Sequence, residues 1–226
     1  EMPFSPQKRN GLRYYFENIS FGYADGIVLY SMMRHLKPRH IIEVGCGYSS
    51  CLILDTNEIF FDNEISCTFV EPYPELFLSL LDGSERERIR LIERKLQDVT
   101  ISEFSVLGPG DMLLIDSSHI CKIDSDVNCV FFKILPFLRS GVYVHFHDIS
   151  YPFEYSKQWV YQGKAYTEAY LLRAFLQYNS MFEIVLFNSY ISRLHKEKLE
   201  KSLPLALKNT GASIWLRKSS QATVRD

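Results

Sequence analysis

The stretch that decides the fold is His40-Ile41-Ile42-Glu43-Val44-Gly45-Cys46-Gly47. Its apolar run is too short for a helix and stops at Gly-Cys-Gly, so it predicts a buried strand entering a tight turn. Glycines at 45 and 47 let the backbone turn sharply and approach another group closely. A helix beginning after such a turn faces its N-terminal amides toward whatever sits over it.

Outward from this point the strand-then-loop pattern recurs. Cys67 to Val70 predicts a second strand ended by Glu71-Pro72, and Ile89 to Ile92 a third. Met112 to Ile115 predicts a fourth, after the turn signal Gly108-Pro109-Gly110, and Val142 to Phe146 a fifth. Later strands fall near 182–187 and at Ser213 to Leu216. Among the helices, Leu29, Met32, Met33 and Leu36 give one apolar face after Asp25, ended by Lys37-Pro38. Leu76, Phe77, Leu80 and Leu81 are expected to point inward from another. Over 125–138, Val127, Val130, Phe131, Ile134, Leu135 and Leu138 keep the helical period behind Asp124, Ser125 and Asp126, which suit an N-terminus. A further helix is expected near 166–178. This alternation predicts an α/β, Rossmann-like, doubly wound and mostly parallel seven-stranded sheet with helices on both faces. A single domain over 1–226 is expected, with 1–38 as an N-terminal helical cover and 39–217 as the core.

The 226 residues, 46% of them apolar, suit one such core. Lys plus Arg number 25 against 27 for Asp plus Glu, a net charge of −2. That balance gives no electrostatic reason to expect nucleic acid or an anionic membrane as partner. No run approaches the ~18 apolar residues of a membrane span, and the N-terminus does not read as a signal peptide. Cys46, Cys51, Cys67, Cys121 and Cys129 fit neither a disulfide framework nor a zinc site. Reduced cysteines in a cytoplasmic protein are the expectation, and a homo-oligomer is left open.

Doubly wound sheets bind ligands beyond the C-terminal ends of their strands. Gly45–Tyr48, Glu71, Asp116–His119 and His147–Asp148 all follow strands and are expected to converge. The dinucleotide fingerprint needs a third glycine, and Ser50 stands in its place. This argues against a nicotinamide cofactor, whereas Glu43 before the loop favours S-adenosylmethionine (SAM), whose ammonium group a carboxylate there could meet through water. Gly45, Gly47 and Ser49 complete that cofactor turn. Glu71 stands where a carboxylate accepts hydrogen bonds from ribose hydroxyls, and Gln97-Asp98 where an amide and a carboxylate could read an adenine edge.

In this order, Glu43-x-Gly45-x-Gly47, Glu71 and Gln97-Asp98 resemble the motifs of class I SAM-dependent methyltransferases. Ile115-Asp116-Ser117-Ser118-His119, Ser125-Asp126-Val127-Asn128 and His145-Phe146-His147-Asp148-Ile149 look like a bacterial subgroup of that class, over roughly residues 14 to 195. The subgroup is similar to the metal-dependent sugar and catechol O-methyltransferases, which place acidic ligands after their fourth and fifth strands. The resemblance implies SAM as donor and a hydroxyl of a small molecule or glycan as acceptor. It also implies that Asp116 and Asp148 share a magnesium or manganese ion, although His147-Asp148 stands where those relatives carry paired acids.

Methyl transfer to a hydroxyl requires alignment and removal of a proton. His119 is the natural base at neutral pH. Asp116 is expected at the cofactor and could ligate a cation or orient a neighbour in catalysis, and His147 emerges at the end of the fifth strand as a further catalytic candidate. His145 is expected to be a packed strand histidine. The aromatic run Tyr151 to Tyr161 is expected to stack on an acceptor, to pack on its own domain or to form a dimer contact. Tyr14, Tyr15, Phe16 and Phe21 are left as a cover for the cofactor cleft. The other readings are an NAD(P)-dependent oxidoreductase and a non-catalytic SAM-binding module.

Overall fold

The computed structural model describes residues 2–219. In chain order the elements are α1 (Tyr23–Leu36), β1 (His40–Val44), α2 (Tyr48–Phe61), β2 (Ser66–Val70), α3 (Glu75–Ser79), α4 (Gly83–Arg86), β3 (Arg90–Ile92) and β4 (Met112–Ile115). Then α5 (Asp126–Cys129) runs through a π turn, Val130–Ile134, into α6 (Leu135–Phe137). The chain continues with β5 (Tyr143–Phe146), α7 (Lys157–Tyr161), α8 (Glu168–Leu176), β6 (Phe182–Phe187), α9 (Asn188–Leu194), α10 (Lys196–Ser202) and β7 (Ile214–Lys218).

The seven strands form one sheet in the order β3-β2-β1-β4-β5-β7-β6. The first five pair in parallel, and β7 runs antiparallel to both β5 and β6. The chain winds outward from β1 through β2 to β3, then crosses back to β4 on the other side. The C-terminal ends of β1 and β4 therefore border a topological switch point, where such sheets open a crevice.

Each strand feeds two cores, because successive side chains alternate between faces. Ile42, Val44, Leu113, Ile115, Val144 and Phe146 pack with the α5–α6 helix and α8. Ile41, Phe69, Met112, Leu114 and Trp215 pack with α1 and α2. Every apolar position expected over 125–138 is buried. Ser125 Oγ caps α5 by accepting from the Asn128 N–H at 3.2 Å. At the far end, the buried Lys218 ammonium donates to the carbonyls of Leu135 and Pro136 at 2.9 and 2.8 Å, satisfying acceptors that a helix end leaves free.

Three expectations need correction. Leu76 is exposed, because α3 lasts little more than one turn and presents only Phe77 to the core. Among the described residues before Tyr23 there is no helix, so the N-terminal cover is helical only from α1 onward. Tyr14, Phe16 and Phe21 do not lie over the cofactor cleft. They are buried in the second core, where Phe16 stacks on Tyr23 at 4.8 Å and Tyr14 Oη donates to the Phe21 carbonyl at 2.8 Å.

Candidate cofactor cleft and active site

Gly45 sits at φ +86, where a side chain would be strained. A Cβ there would lie 1.7 Å from the Asp116 carbonyl oxygen. The turn after β1 is thus pressed against the turn after β4. Two backbone bonds hold it, from Gly45 N–H to Val70 O at 2.9 Å and from Asp116 N–H to Val44 O at 2.8 Å. Gly47 is extended and precedes α2, and its N–H donates to Ser50 Oγ at 3.1 Å. Ser50 Oγ in turn donates to Glu43 Oε2. The residue standing in the third-glycine position therefore ties the strand-end acid to the start of α2.

Glu43 is fully buried, and burial pushes its carboxyl up to about 8, against the bonds from Ser49 and Ser50. Its Oε1 has no protein partner. In the unfolded chain this group titrates at 4.5. Between those values folding retains a proton that unfolding releases, so stability is fully present below the lower value and lost as pH rises through the upper one. Glu43→Gln removes the titration. Its melting temperature relative to the parent is expected to climb from about pH 5 to about pH 8.5 in thermal melts. A pH-independent difference would show that Glu43 titrates normally.

Glu71 accepts from the Cys46 N–H at Oε2 (3.2 Å) and the Tyr73 N–H at Oε1 (2.8 Å). Each oxygen retains a further lone pair for a ligand. A cleft of about 590 Å³ opens here, walled by Gly45, Glu71, Gln97, Asp116 and Ser117 among others. That size suits a nucleoside-type ligand. Ser117 Oγ in this wall is buried and has no partner. Gln97 Nε2 donates to the Asp124 carbonyl. Asp98 is exposed and lies outside the wall, so the structure does not bring it to the site. Glu43, Gly47 and Ser49 are likewise not in the wall. Ser49 is buried beside Glu43.

Beyond Asp116 the chemistry changes. Asp116 Oδ1 lies 3.3 Å from His119 Nε2 and 3.2 Å from His147 Nδ1. The oxygens of Asp148 lie 3.6 and 3.7 Å from the same two nitrogens. Two acids and two imidazoles thus alternate around a quartet. The outer nitrogens are also engaged, His119 Nδ1 by Glu168 Oε2 at 2.8 Å and His147 Nε2 by Asp25 Oδ2 at 3.5 Å.

Burial alone would push both imidazoles down. The facing carboxylates win, lifting His119 to about 10 and His147 well above its ordinary value. Burial raises Asp148, while His147 and His119 oppose the rise. His145 behaves as a packed histidine. It is buried against Trp215 at 4.8 Å with Nε2 at 2.8 Å from Ser213 Oγ, and burial pushes it down to about 3.

Asp25 and Glu168 escaped the sequence reading. Asp25 accepts from Asn188 Nδ2 at 2.8 Å and also from Ser213 Oγ and the Ala212 N–H, which ties α1 to the strand-end loops. An acid in the first turn of a helix reads as dipole compensation, and only burial distinguishes these two. On the far side of the quartet a second cavity of about 260 Å³ is lined by His147, Asp148, Tyr155, Trp159, Asn209 and Ser20 among others. Asp116 therefore borders the first cavity, and His147 and Asp148 border the second.

The residues present do not fit the magnesium or manganese ion expected between Asp116 and Asp148. Such hard cations take oxygen ligands, whereas the carboxylate oxygens here lie 3.2 to 3.7 Å from the nitrogens of His119 and His147. Among the described residues, no group of three or more His, Cys, Asp or Glu is arranged to hold a metal.

A sheet in this order with only its seventh strand reversed, and a cleft at the switch point under a Gly-x-Gly turn, defines the class I SAM-dependent methyltransferase fold. Residues 42–149 match a family described as a methyltransferase domain. The fold is similar to an S-adenosylhomocysteine (SAH)-bound methyltransferase of Podospora anserina, with TM-score 0.55 and 16% identity over 86% of this chain and 77% of that one. It is also similar to TomG of Streptomyces achromogenes, an O-methyltransferase involved in tomaymycin synthesis and solved with SAM (0.52, 14%, 86% and 79%). A third is an O-methyltransferase of Bacillus cereus in complex with SAH (0.53, 13%, 86% and 80%). An uncharacterized protein of Archaeoglobus fulgidus is 31% identical over 109 residues, 47% of this chain and 48% of its own length. The chain thus spans about half the length of the curated relative it matches. The five cysteines are free, and no helix among the described residues is long and apolar enough to cross a membrane.

Proposed function

We propose that the chain is a SAM-dependent O-methyltransferase acting on a hydroxyl of a polar small molecule or glycan. The observation that carries this reading is the acid–imidazole quartet standing between two cavities, one bordered by Asp116 and the other by Asp148. In the first cavity Glu71, Gly45, Gln97 and the unpartnered Ser117 Oγ would hold the donor, with Glu43, Gly47 and Ser49 shaping the turn. Once bound, SAM supplies a methyl group on a positively charged sulfur. The O-methyltransferases solved with SAM or SAH on this fold support the assignment of the donor.

In the second cavity Tyr155 and Trp159 offer flat apolar faces, while Asn209, Ser20 and Asp148 offer hydrogen bonds. Among the described residues lining this cavity, only His147 can carry positive charge, which favours a neutral polyhydroxy acceptor over an anionic one. Asp148 takes the proton of the acceptor hydroxyl. Its carboxyl is raised by burial, and a base gains proton affinity as its pKa rises toward the working pH. His119 and His147, held protonated, orient Asp148 and steady the negative charge of Asp116. His119 thus serves catalysis by holding the base rather than by taking the proton. The sulfonium charge disappears on transfer, and the proton left on Asp148 replaces it, so the buried site keeps its charge.

Calorimetry with SAM, SAH and NAD tests the donor. SAM and SAH are expected to bind, and Glu71→Ala is expected to weaken SAH about tenfold to a hundredfold, as for a lost hydrogen bond to a charged group. Binding of NAD without SAM would replace this reading with the oxidoreductase one. Unchanged SAH affinity in Glu71→Ala would remove Glu71 from the ribose role.

A further inference from the structure

We infer that Glu168 is a positioning residue for the proposed reaction, fixing the ring of His119 and through it Asp148 at the seam between the two cavities. The contact stands on geometry alone; its chemical purpose rests on the methyl-transfer reading. Glu168 begins α8, fully buried, with Oε2 2.8 Å from His119 Nδ1. That bond sets the ring so that Nε2 faces Asp116 at 3.3 Å and Asp148 at 3.6 Å. His119 itself sits at φ +58, an uncommon backbone state for a residue other than glycine. The start of α8 holds it there. The N–H groups of Thr167 and Glu168 both donate to the His119 carbonyl, at 2.8 and 3.1 Å, and the Cys121 N–H donates to Thr167 Oγ1 at 2.7 Å.

The other oxygen, Oε1, is buried with no partner. A group kept for structure alone is normally satisfied at both oxygens, and burying a carboxylate is costly unless its charge is used. The charge here is aimed at one imidazole. The same segment also packs behind Tyr155 and Trp159, which line the second cavity. Tyr166 packs on the His119 ring at 4.8 Å and touches Trp159 and Tyr155 at 5.5 and 5.7 Å. One stretch of chain thus touches both the His119 ring and two aromatic residues that line that cavity.

The test reads the His119 ring by nitrogen NMR in the full chain, where six histidines make assignment by His119→Gln practical. The groups facing this ring are Asp116, Asp148, Glu168 and Tyr166. Glu168→Gln keeps the shape and removes the charge. It is expected to lower the His119 midpoint by about one pH unit or more, tenfold in proton affinity, while SAH affinity stays within about twofold because Glu168 lies outside the cofactor cleft. Glu168→Asp should recover part of the shift. A His119 midpoint unchanged in Glu168→Gln overturns the proposal. Should that variant fail to fold, Glu168→Asp decides alone, since an unmoved midpoint there has the same meaning. If SAH does not bind the parent chain, the methyl-transfer reading falls, and the His119 shift still decides the contact.

Discussion

Gly45→Ala is expected to yield a chain that binds neither SAM nor SAH and melts far below the parent. Two costs act together. The residue sits at φ +86, and the added methyl would lie 1.7 Å from the Asp116 carbonyl oxygen, which is backbone and cannot swing aside. Backbone strain costs about 1–3 kcal/mol and forced overpacking about as much again. The sum is a large share of the ~5–15 kcal/mol that holds a domain together. Relief would push the β1 turn away from the β4 turn and open the cleft wall between Gly45 and Asp116. Gly47→Ala is the control. Gly47 is extended, and a Cβ there meets nothing within 4 Å, so stability should change by roughly 1 kcal/mol or less. Thermal melts and SAH calorimetry on both variants decide. Equal behaviour would show that close approach is not why position 45 is glycine.

Asp148→Asn is expected to reduce methyl transfer by about 10²- to 10⁴-fold, the usual contribution of a positioned base, with SAH affinity within about twofold. The substitution is chosen for its backbone. Asp148 lies at φ +56, a region that Asn tolerates far better than Ala, so the loop keeps its shape while the side chain loses its proton affinity. Burial raises the parent carboxyl, and His147 and His119 temper the rise. The parent rate should therefore fall as pH drops through that raised value, and the residual rate of the Asp148→Asn variant should not follow the same curve. Transfer of radiolabelled methyl to a panel of polyols and oligosaccharides supplies the measurement. A variant with the parent's rate would remove Asp148 from proton transfer and return that role to His119 or His147.

The periodic elements were legible in the sequence because periodicity reports burial on a face. All seven strands fall close to where short apolar runs and turn residues place them, and Ser50 in the third-glycine position turned attention from a dinucleotide. The misses share a cause. Leu76 looks apolar, but α3 is too short to offer it a partner. The π turn inside 126–137 leaves no trace, since the apolar spacing still matches a regular helix. Asp25 and Glu168 lie far in sequence from His147 and His119, which they engage. Their burial is decided by the docking of α1 and α8 rather than by neighbouring residues. The surroundings of the expected metal position were hidden for a related reason. Spacing brought Asp116 and Asp148 together, but it did not show that imidazoles stand between them.

The matched stretch, residues 42–149, contains the cofactor turn, Glu71 and the whole quartet. Asp25, Tyr155, Trp159, Glu168 and Asn209 all lie outside it. On the proposed reading, the donor cleft falls within the matched stretch, while the acceptor cavity takes only His147 and Asp148 from it and the rest of its lining from outside. Exchanging the 150–168 segment between two such proteins, with α1 if needed, is a rational route to a new acceptor that leaves the use of SAM untouched.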